Sequence, residues 1–284
     1  ILRIKLLLAL LLTLPAMPDT RSKYHRLVAR IVALGLLLAV GTAQATAPTL
    51  RWRLVASHPH EASDFTQGLV WHQGRLFESA GQYGASRIAE KDLSSGKTLR
   101  STSLPGNEFG EGLALLRGQL WQLTWREGVA HVYDLTLQPL QRLRYGGEGW
   151  GIASDGRQLV ISDGSARLHF VDPEGFRLLR SIEVSDGGRP VTMLNELEWV
   201  EGAIYANVWM SDRVARIDPA SGQVTGWLDL APLKRAAGVT PEREAQGAVL
   251  NGLAWRADQR RLLVTGKWWP KLFELKLDVQ NTAK

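Results

Sequence analysis

One carboxylate, one lysine and several carboxamides recur at equivalent places in this chain. Five segments share a pattern: QGLVW from Gln67, EGLAL from Glu111, WGIAS from Trp150, NELEW from Asn195 and NGLAW from Asn251. Their first residues are three amides, one acid and one indole, where a structural repeat would favour small or apolar groups. A second set lies seven residues beyond a turn glycine in successive copies. It comprises Trp125, Asp163, Trp209 and, by analogous counting, Lys267, with Gly81 beside Glu78 in the first copy. A lone Glu can take a proton and return it, while amides and a Lys bind and steady developing charge. Trp125, Trp150 and Trp209 would wall the pocket. The chemistry is acid–base work on an amide-bearing, uncharged or weakly cationic substrate.

Other residues read as structural. Trp71, Trp199 and Trp255 suit packing between units, and Asn251 suits a bond to linking backbone. Lys267, between Gly266 and Trp268-Trp269-Pro270, would equally suit a solvated or ring-stacked charge. His58 and His60 are the only close histidine pair and lack a third ligand, which argues against zinc; no metal site is expected. The chain has no cysteine, no nucleophile elbow and no phosphate loop.

The elements that must position these groups repeat every 40 residues or so. Each copy opens on the shared segment, whose third residue is always Leu or Ile. A turn follows at Gly74, Gly118, Gly156 or Gly202, with Asp258 to Arg260 in the fifth copy. The stretch Val191 to Asp212 shows the unit plainly, as two strands about a turn at Glu201-Gly202. A third strand ends at Asp92, Asp134, Asp172, Asp218 or Asp278, and a fourth follows in four copies. Five such units predict an all-β chain, a five-bladed β-propeller. An open sandwich of hairpins would leave long unpaired edges. The fifth copy lacks a fourth strand, and Leu50 to Val55 has no partner in the first. This N-terminal strand is therefore expected to pair with Leu272–Leu277 and close the ring. Pro232 to Ala248 reads as an insertion over one face, with a helix start at Thr240-Pro241-Glu242.

Residues 1–45 read as a leader. Met17 opens a secretory pattern: a basic stretch, an apolar run from Ile31 to Val40, and Ala43-Gln44-Ala45 as cleavage site. Residues 1–16 would then lie upstream of the true start. A retained anchor is the rival, but each apolar run is shorter than the roughly 20 residues a span needs. The expectation is an exported protein, periplasmic or secreted, with one domain over residues 46–284. That part carries 28 basic and 27 acidic residues. The basic balance thus belongs mainly to the leader, and nucleic acid is not an expected partner.

Eight motifs in order carry a resemblance. They are FTQGL (65–69), GEGLA (110–114), LTW (123–125), GEGWGI (147–152), LNELEW (194–199), ANVW-SD (206–212), LNGLAW (250–255) and VTGKWWP-LFE (264–274). Together they resemble the plant and bacterial type of glutaminyl-peptide cyclotransferase, a five-bladed propeller family distinct from the zinc-dependent animal enzymes. The resemblance runs from about Arg51 to Leu277. It implies cyclisation of an N-terminal glutamine to pyroglutamate with release of ammonia. Glu111 then looks like the proton shuttle, and Asn195 and Lys267 like the groups that bind the amide and steady the oxyanion, in an order left open. Gln67 looks like a polar positioning contact, and Trp125, Trp150 and Trp209 like the wall that folds the substrate. No cofactor is implied, although the family leaves room for a structural calcium in the channel. The implied partners are peptides and proteins beginning with glutamine, met by a monomer. The competing class is a non-catalytic propeller that binds peptide N-termini. A sugar or lactone hydrolase is a third, but it would need a channel metal.

Overall fold

The computed structural model describes residues 45–278. All of the expected leader except Ala45 lies outside them. The strands form five four-stranded antiparallel sheets and one small hairpin. Blade one holds β2 (Thr66–His72), β3 (Arg75–Ala80), β4 (Arg87–Lys91) and β5 (Thr98–Ser103). Blade two holds β6 (Gly110–Leu116), β7 (Gln119–Thr124), β8 (Val129–Tyr133) and β9 (Pro139–Arg144). Blade three holds β10 (Ile152–Ser154), β11 (Leu159–Ser162), β12 (Arg167–Asp172) and β13 (Arg177–Glu183). The hairpin β14 (Ser185–Asp186) and β15 (Arg189–Pro190) leads to blade four: β16 (Leu194–Val200), β17 (Ala203–Val208), β18 (Arg213–Ile217) and β19 (Val224–Asp229).

Blade five is built from both ends of the described chain. Its order is β1 (Trp52–Pro59), β22 (Lys271–Leu277), β21 (Arg261–Gly266) and β20 (Leu250–Arg256). The partner expected for the N-terminal strand is the one found, but the strand lies further along the chain. Pairing runs from Trp52 opposite Leu277 to Pro59 opposite Lys271. Leu50 belongs to blade four instead: its N–H donates to the Trp227 carbonyl at 2.7 Å. Its side chain fills the space that a Cβ on Gly226 would need. The segment therefore staples blade four before it completes blade five.

The third residue of each repeat explains how the blades adhere. Leu69, Leu113, Ile152, Leu197 and Leu253 are all at most 1 % exposed. They lie in five buried clusters, one at each seam between neighbouring blades. Burying one such side chain stabilises by roughly 1.5–3 kcal/mol. Trp71, Trp199 and Trp255 pack as partly buried groups against these seams, as expected. Arg256 of blade five lies over the Trp71 ring of blade one, 4.3 Å from its centroid.

Close to the axis the blades meet backbone to backbone. A Cβ on Gly68 would collide with the Leu113 nitrogen, one on Gly112 with Ile152, and one on Gly151 with Asn195. The expected insertion forms α1 (Ala231–Ala237) and α2 (Pro241–Ala245), the second capped by the Thr240 hydroxyl. The outermost strands leave Leu99, Leu140, Leu178 and Leu179 exposed. Arg53, Arg100, Arg142 and Arg177 stand on the same outer strands, a charged edge that discourages pairing between molecules.

Blade four breaks the glycine rule with Glu196, which is fully buried. Its Oε1 accepts the Leu69 N–H at 3.5 Å, and its Oε2 has no partner. Burial, then the neighbouring Glu198, pushes its carboxyl well above the usual range. Burial pushes Glu198 up to about 8, opposed only by a bond from the Trp255 backbone.

Two predictions follow from this frame. A variant lacking residues 46–59 opens the ring and loses its cooperative thermal transition; an unchanged melt by circular dichroism would refute the closure. The second concerns pH. The folded chain holds the Glu198 proton more tightly than the unfolded chain, where glutamate titrates near about 4.3. This stabilisation is complete below that value and is lost as pH rises through about 8. Glu198→Gln is expected to melt several degrees above the parent beyond pH 8, with the gap closing in acid. Parallel melting curves across that range would sink the assignment.

Candidate active site

The first residues of the repeats converge because the inner strands bulge there. The ladder register breaks between Thr66 and Gly68, Gly110 and Leu113, Leu194 and Leu197, and Leu250 and Leu253. A bulge leaves a residue out of the ladder and re-aims its side chain. Gln67, Glu111, Asn195 and Asn251 all occupy such bulges. Trp150 lies two residues before β10.

A pocket of about 270 Å³ opens at this end of the channel. It is lined by Gln67, Glu111, Trp150 and Asn195 from the leads, and by Trp125, Trp209 and Lys267 from the second set. All seven expected site residues therefore meet in one cavity. Phe65, Gln82 and Phe109 also line it, and sequence reasoning missed them. The two phenylalanines left a usable signal, since each stands two residues before a lead. Gln82 left none.

Three residues that stand in or beside these two sets stay outside the pocket. Asp163, counted in the second set, does not line the pocket. Its carboxylate accepts from Ser165 at 2.6 Å and meets His169 at 3.1 Å. Glu78 is drawn the other way, into blade one. Asn251 is a lead without access to the pocket. Its Nδ2 donates to the Thr66 carbonyl at 2.9 Å, the backbone role expected for it, and also to Gln67 Oε1 at 3.2 Å. Gln67 Nε2 in turn donates to Glu111 Oε1 at 2.8 Å. Asn251 thus fixes the Gln67 amide so that its N–H faces the acid.

The electrostatics of the pair Glu111 and Lys267 were left open by sequence, and burial wins. It raises the Glu111 carboxyl well above the usual range; Lys267 opposes this, while Glu127 and Glu148 add to it. Burial lowers Lys267 to about 8 against the pull of Glu111. The ammonium lies 4.6 Å from the Phe65 ring centroid. No ion pair within 4.0 Å joins it to Glu111 among the described residues. Asn195 is buried with its Oδ1 unpartnered.

Aromatic edges frame these groups. Phe65 meets Trp268 at 4.6 Å and Phe109 at 5.9 Å, and Phe109 meets Trp125 at 5.9 Å, all edge to face. Trp150 meets Trp209 edge to face at 5.7 Å. Backbone strain gathers here too. Gln82 lines the pocket at φ 127°, and Met193, Met210 and Trp268 lie at φ 58–63° beside Asn195, Trp209 and Lys267. Such conformations cost of order 1–3 kcal/mol each and mark functional loops.

Two places were tested for a metal. His60, Asp64 and Glu78 bring ligand atoms within 4.8 Å of one another, a cluster the sequence did not show. The Lys91 ammonium already sits there, 2.6 Å from Asp64 and 3.8 Å from Glu78. Burial works against the Glu78 charge, yet His60 and Lys91 hold its carboxyl down to about 2. The cluster is a closed ion network. In the channel, calcium would require six to eight oxygens. On the inner strands Glu196 Oε2, Asn195 Oδ1 and Asn251 Oδ1 are buried without partners, while Glu196 Oε1 accepts the Leu69 N–H. Three single side-chain oxygens fall short of that shell, so the side chains alone do not make a calcium site.

Known proteins share this architecture. A family profile described as glutamine cyclotransferase matches residues 27–277. A glutaminyl-peptide cyclotransferase of Arabidopsis thaliana is 41 % identical over 234 residues, covering 81 % of this chain and 72 % of its own. The crystal structure of Myxococcus xanthus glutaminyl cyclase superposes with a TM-score of 0.76 at 41 % identity, over 83 % of this chain and all of that one. With the profile spanning most of its length, the chain belongs to the glutamine cyclotransferase family.

Proposed function

We propose that the pocket cyclises the N-terminal glutamine of peptides and proteins to pyroglutamate and releases ammonia. The observation that carries this reading is Glu111, buried beside Lys267 in one pocket without pairing to it. The α-amine attacks the side-chain amide carbon and gives a proton to Glu111. The resulting oxyanion is met by the Lys267 ammonium, whose charge acts strongly in apolar surroundings. Asn195 Oδ1 accepts from the substrate amide nitrogen and orients it. Glu111 then returns its proton to that nitrogen, the carbon–nitrogen bond breaks, and ammonia leaves. A carboxyl raised toward neutrality is suited to both transfers. Gln67 holds Glu111, so it acts on the acid more than on the substrate. The indole wall of Trp125, Trp150 and Trp209 keeps the glutamine chain folded over its own amine.

The steps need no cofactor. One chain supplies every group they use, which favours action as a monomer. No helix among the described residues is long and apolar enough to cross a membrane. Export to the periplasm or beyond is inferred from the leader pattern alone. N-terminal sequencing of protein from the native host is expected to begin at Thr46; a retained leader would overturn this.

The decisive assay is ammonia release from a Gln-initiated dipeptide, with and without a chelator. Parent activity is expected to be the same in both. Glu111→Gln is expected to keep the parent melt and lose roughly 100-fold or more in turnover. A folded Glu111→Gln variant at the parent rate would refute the shuttle role of Glu111, whereas a parent protein that releases no ammonia would leave a binder of peptide ends. The pH profile of kcat/KM tests the two charges. It should rise through the elevated Glu111 value, where the base ionises, and fall near 8, where Lys267 loses its proton. Lys267→Arg keeps its charge to higher pH, so its alkaline limb should move upward. An unmoved limb would remove Lys267 from the oxyanion.

A further inference from the structure

We propose that Glu148 is the positioning residue that sets the geometry of the indole wall, by tying Trp125 and Trp150 to one carboxylate oxygen. The inference rests on the pocket being the glutamine site. Glu148 Oε2 accepts the Trp125 indole N–H at 2.8 Å and the Trp150 indole N–H at 2.9 Å. The two tryptophans come from different blades, one beyond β7 and the other before β10. A shared acceptor therefore fixes how the two indole planes stand to each other across a blade boundary.

The other carboxylate oxygen secures the tie. Oε1 accepts from Arg126 Nε at 3.0 Å. The same guanidinium lies over the Trp125 ring, 3.7 Å from its centroid. Each indole is also held on a second side. Trp150 abuts Trp209 at 89°, and a Cβ on Gly164 would strike its ring. Trp125 meets Phe109. The remaining freedom is rotation of the indole planes, and the N–H bonds to Glu148 remove it.

The arrangement has a chemical effect as well as a geometric one. Both of these indole donors point at Glu148, so Trp125 and Trp150 offer the substrate carboxamide no competing hydrogen bond. Glu111, Asn195 and Lys267 then meet the substrate without competition from those two rings. The tie is not what holds the loop in place. The Gly149 N–H donates to the Trp125 carbonyl at 2.9 Å whatever the Glu148 side chain does. Glu148 is also partly exposed, with 37 % of its side chain open to solvent. Its removal should spare the fold and loosen the wall.

The test compares Glu148→Ala with Glu148→Gln, whose carbonyl oxygen can still serve both indoles. Glu148→Ala is expected to melt like the parent and to show greater quenching of tryptophan fluorescence by acrylamide. Its kcat/KM on a Gln-initiated dipeptide should fall roughly 10-fold or more, as reacting groups lose alignment. Glu148→Gln should stay within about threefold of the parent, since the shared acceptor survives. On a Trp150→Phe background, where one donor is gone, Glu148→Ala should cost less than it does alone. Parent kinetics and parent quenching in Glu148→Ala would overturn the proposal. So would equal losses in the Ala and Gln variants, because charge rather than a shared acceptor would then be at work. A parent enzyme that releases no ammonia would defeat the functional reading alone; the quenching comparison would still decide the tie.

Discussion

The close approach of inner-strand backbones at Gly68, Gly112 and Gly151 is the constraint on which the rest depends. No side chain fits at those positions, so the strands can crowd round the axis. That crowding brings residues of all five blades to a pocket of about 270 Å³. The bulges complete the work, because four of the five leads leave their ladders where the strands are closest. The same crowding explains why the groups are buried. Glu111 and Lys267 lose water by being placed, and burial then moves both toward neutrality from opposite directions. Position and reactivity share one geometric cause.

Around this centre the protein keeps two kinds of polar interior. The network of His60, Asp64, Glu78 and Lys91 balances its charges at short range, and such networks hold elements in place. It reaches the site through backbone, since the Trp268 N–H donates to the Asp64 carbonyl at 2.7 Å. The pocket is different in kind. Its acid and its ammonium stand apart, and Asn195 keeps a free acceptor. Polar groups left unsatisfied in a buried place are costly unless a ligand completes them.

Much of this was legible in the sequence because the repeat is a physical necessity. Leu or Ile at the third position fills each seam, and glycine at the second permits the approach, so both recur. Glu111, Asn195 and Lys267 stood out as departures from that repeat. Equal spacing failed where local hydrogen bonding intervenes. Asp163 sits at the right count but turns to Ser165 and His169. Asn251 stands at the right place but is spent on Thr66 and Gln67. Gln82 enters through a strained turn that leaves no compositional trace. The offset of β1 depends on Leu50 finding the gap above Gly226, a contact between residues far apart in sequence. The opposed effects on Glu111 needed depths and distances that no linear pattern contains.

The closing strand has a consequence for how the molecule comes into being. β1 is among the first parts of the described chain to be synthesised, and its partner β22 is the last strand. Until that strand emerges, β1 has no partner and the outer edge of β21 is unpaired, although β20 and β21 can already pack on blade one. Contacts this distant in sequence slow folding. Blade five is therefore completed only when β22 inserts between β1 and β21, and every earlier intermediate carries unpaired strand edges. A cell handling this chain must keep those edges from pairing with another chain until the closing strand fills them.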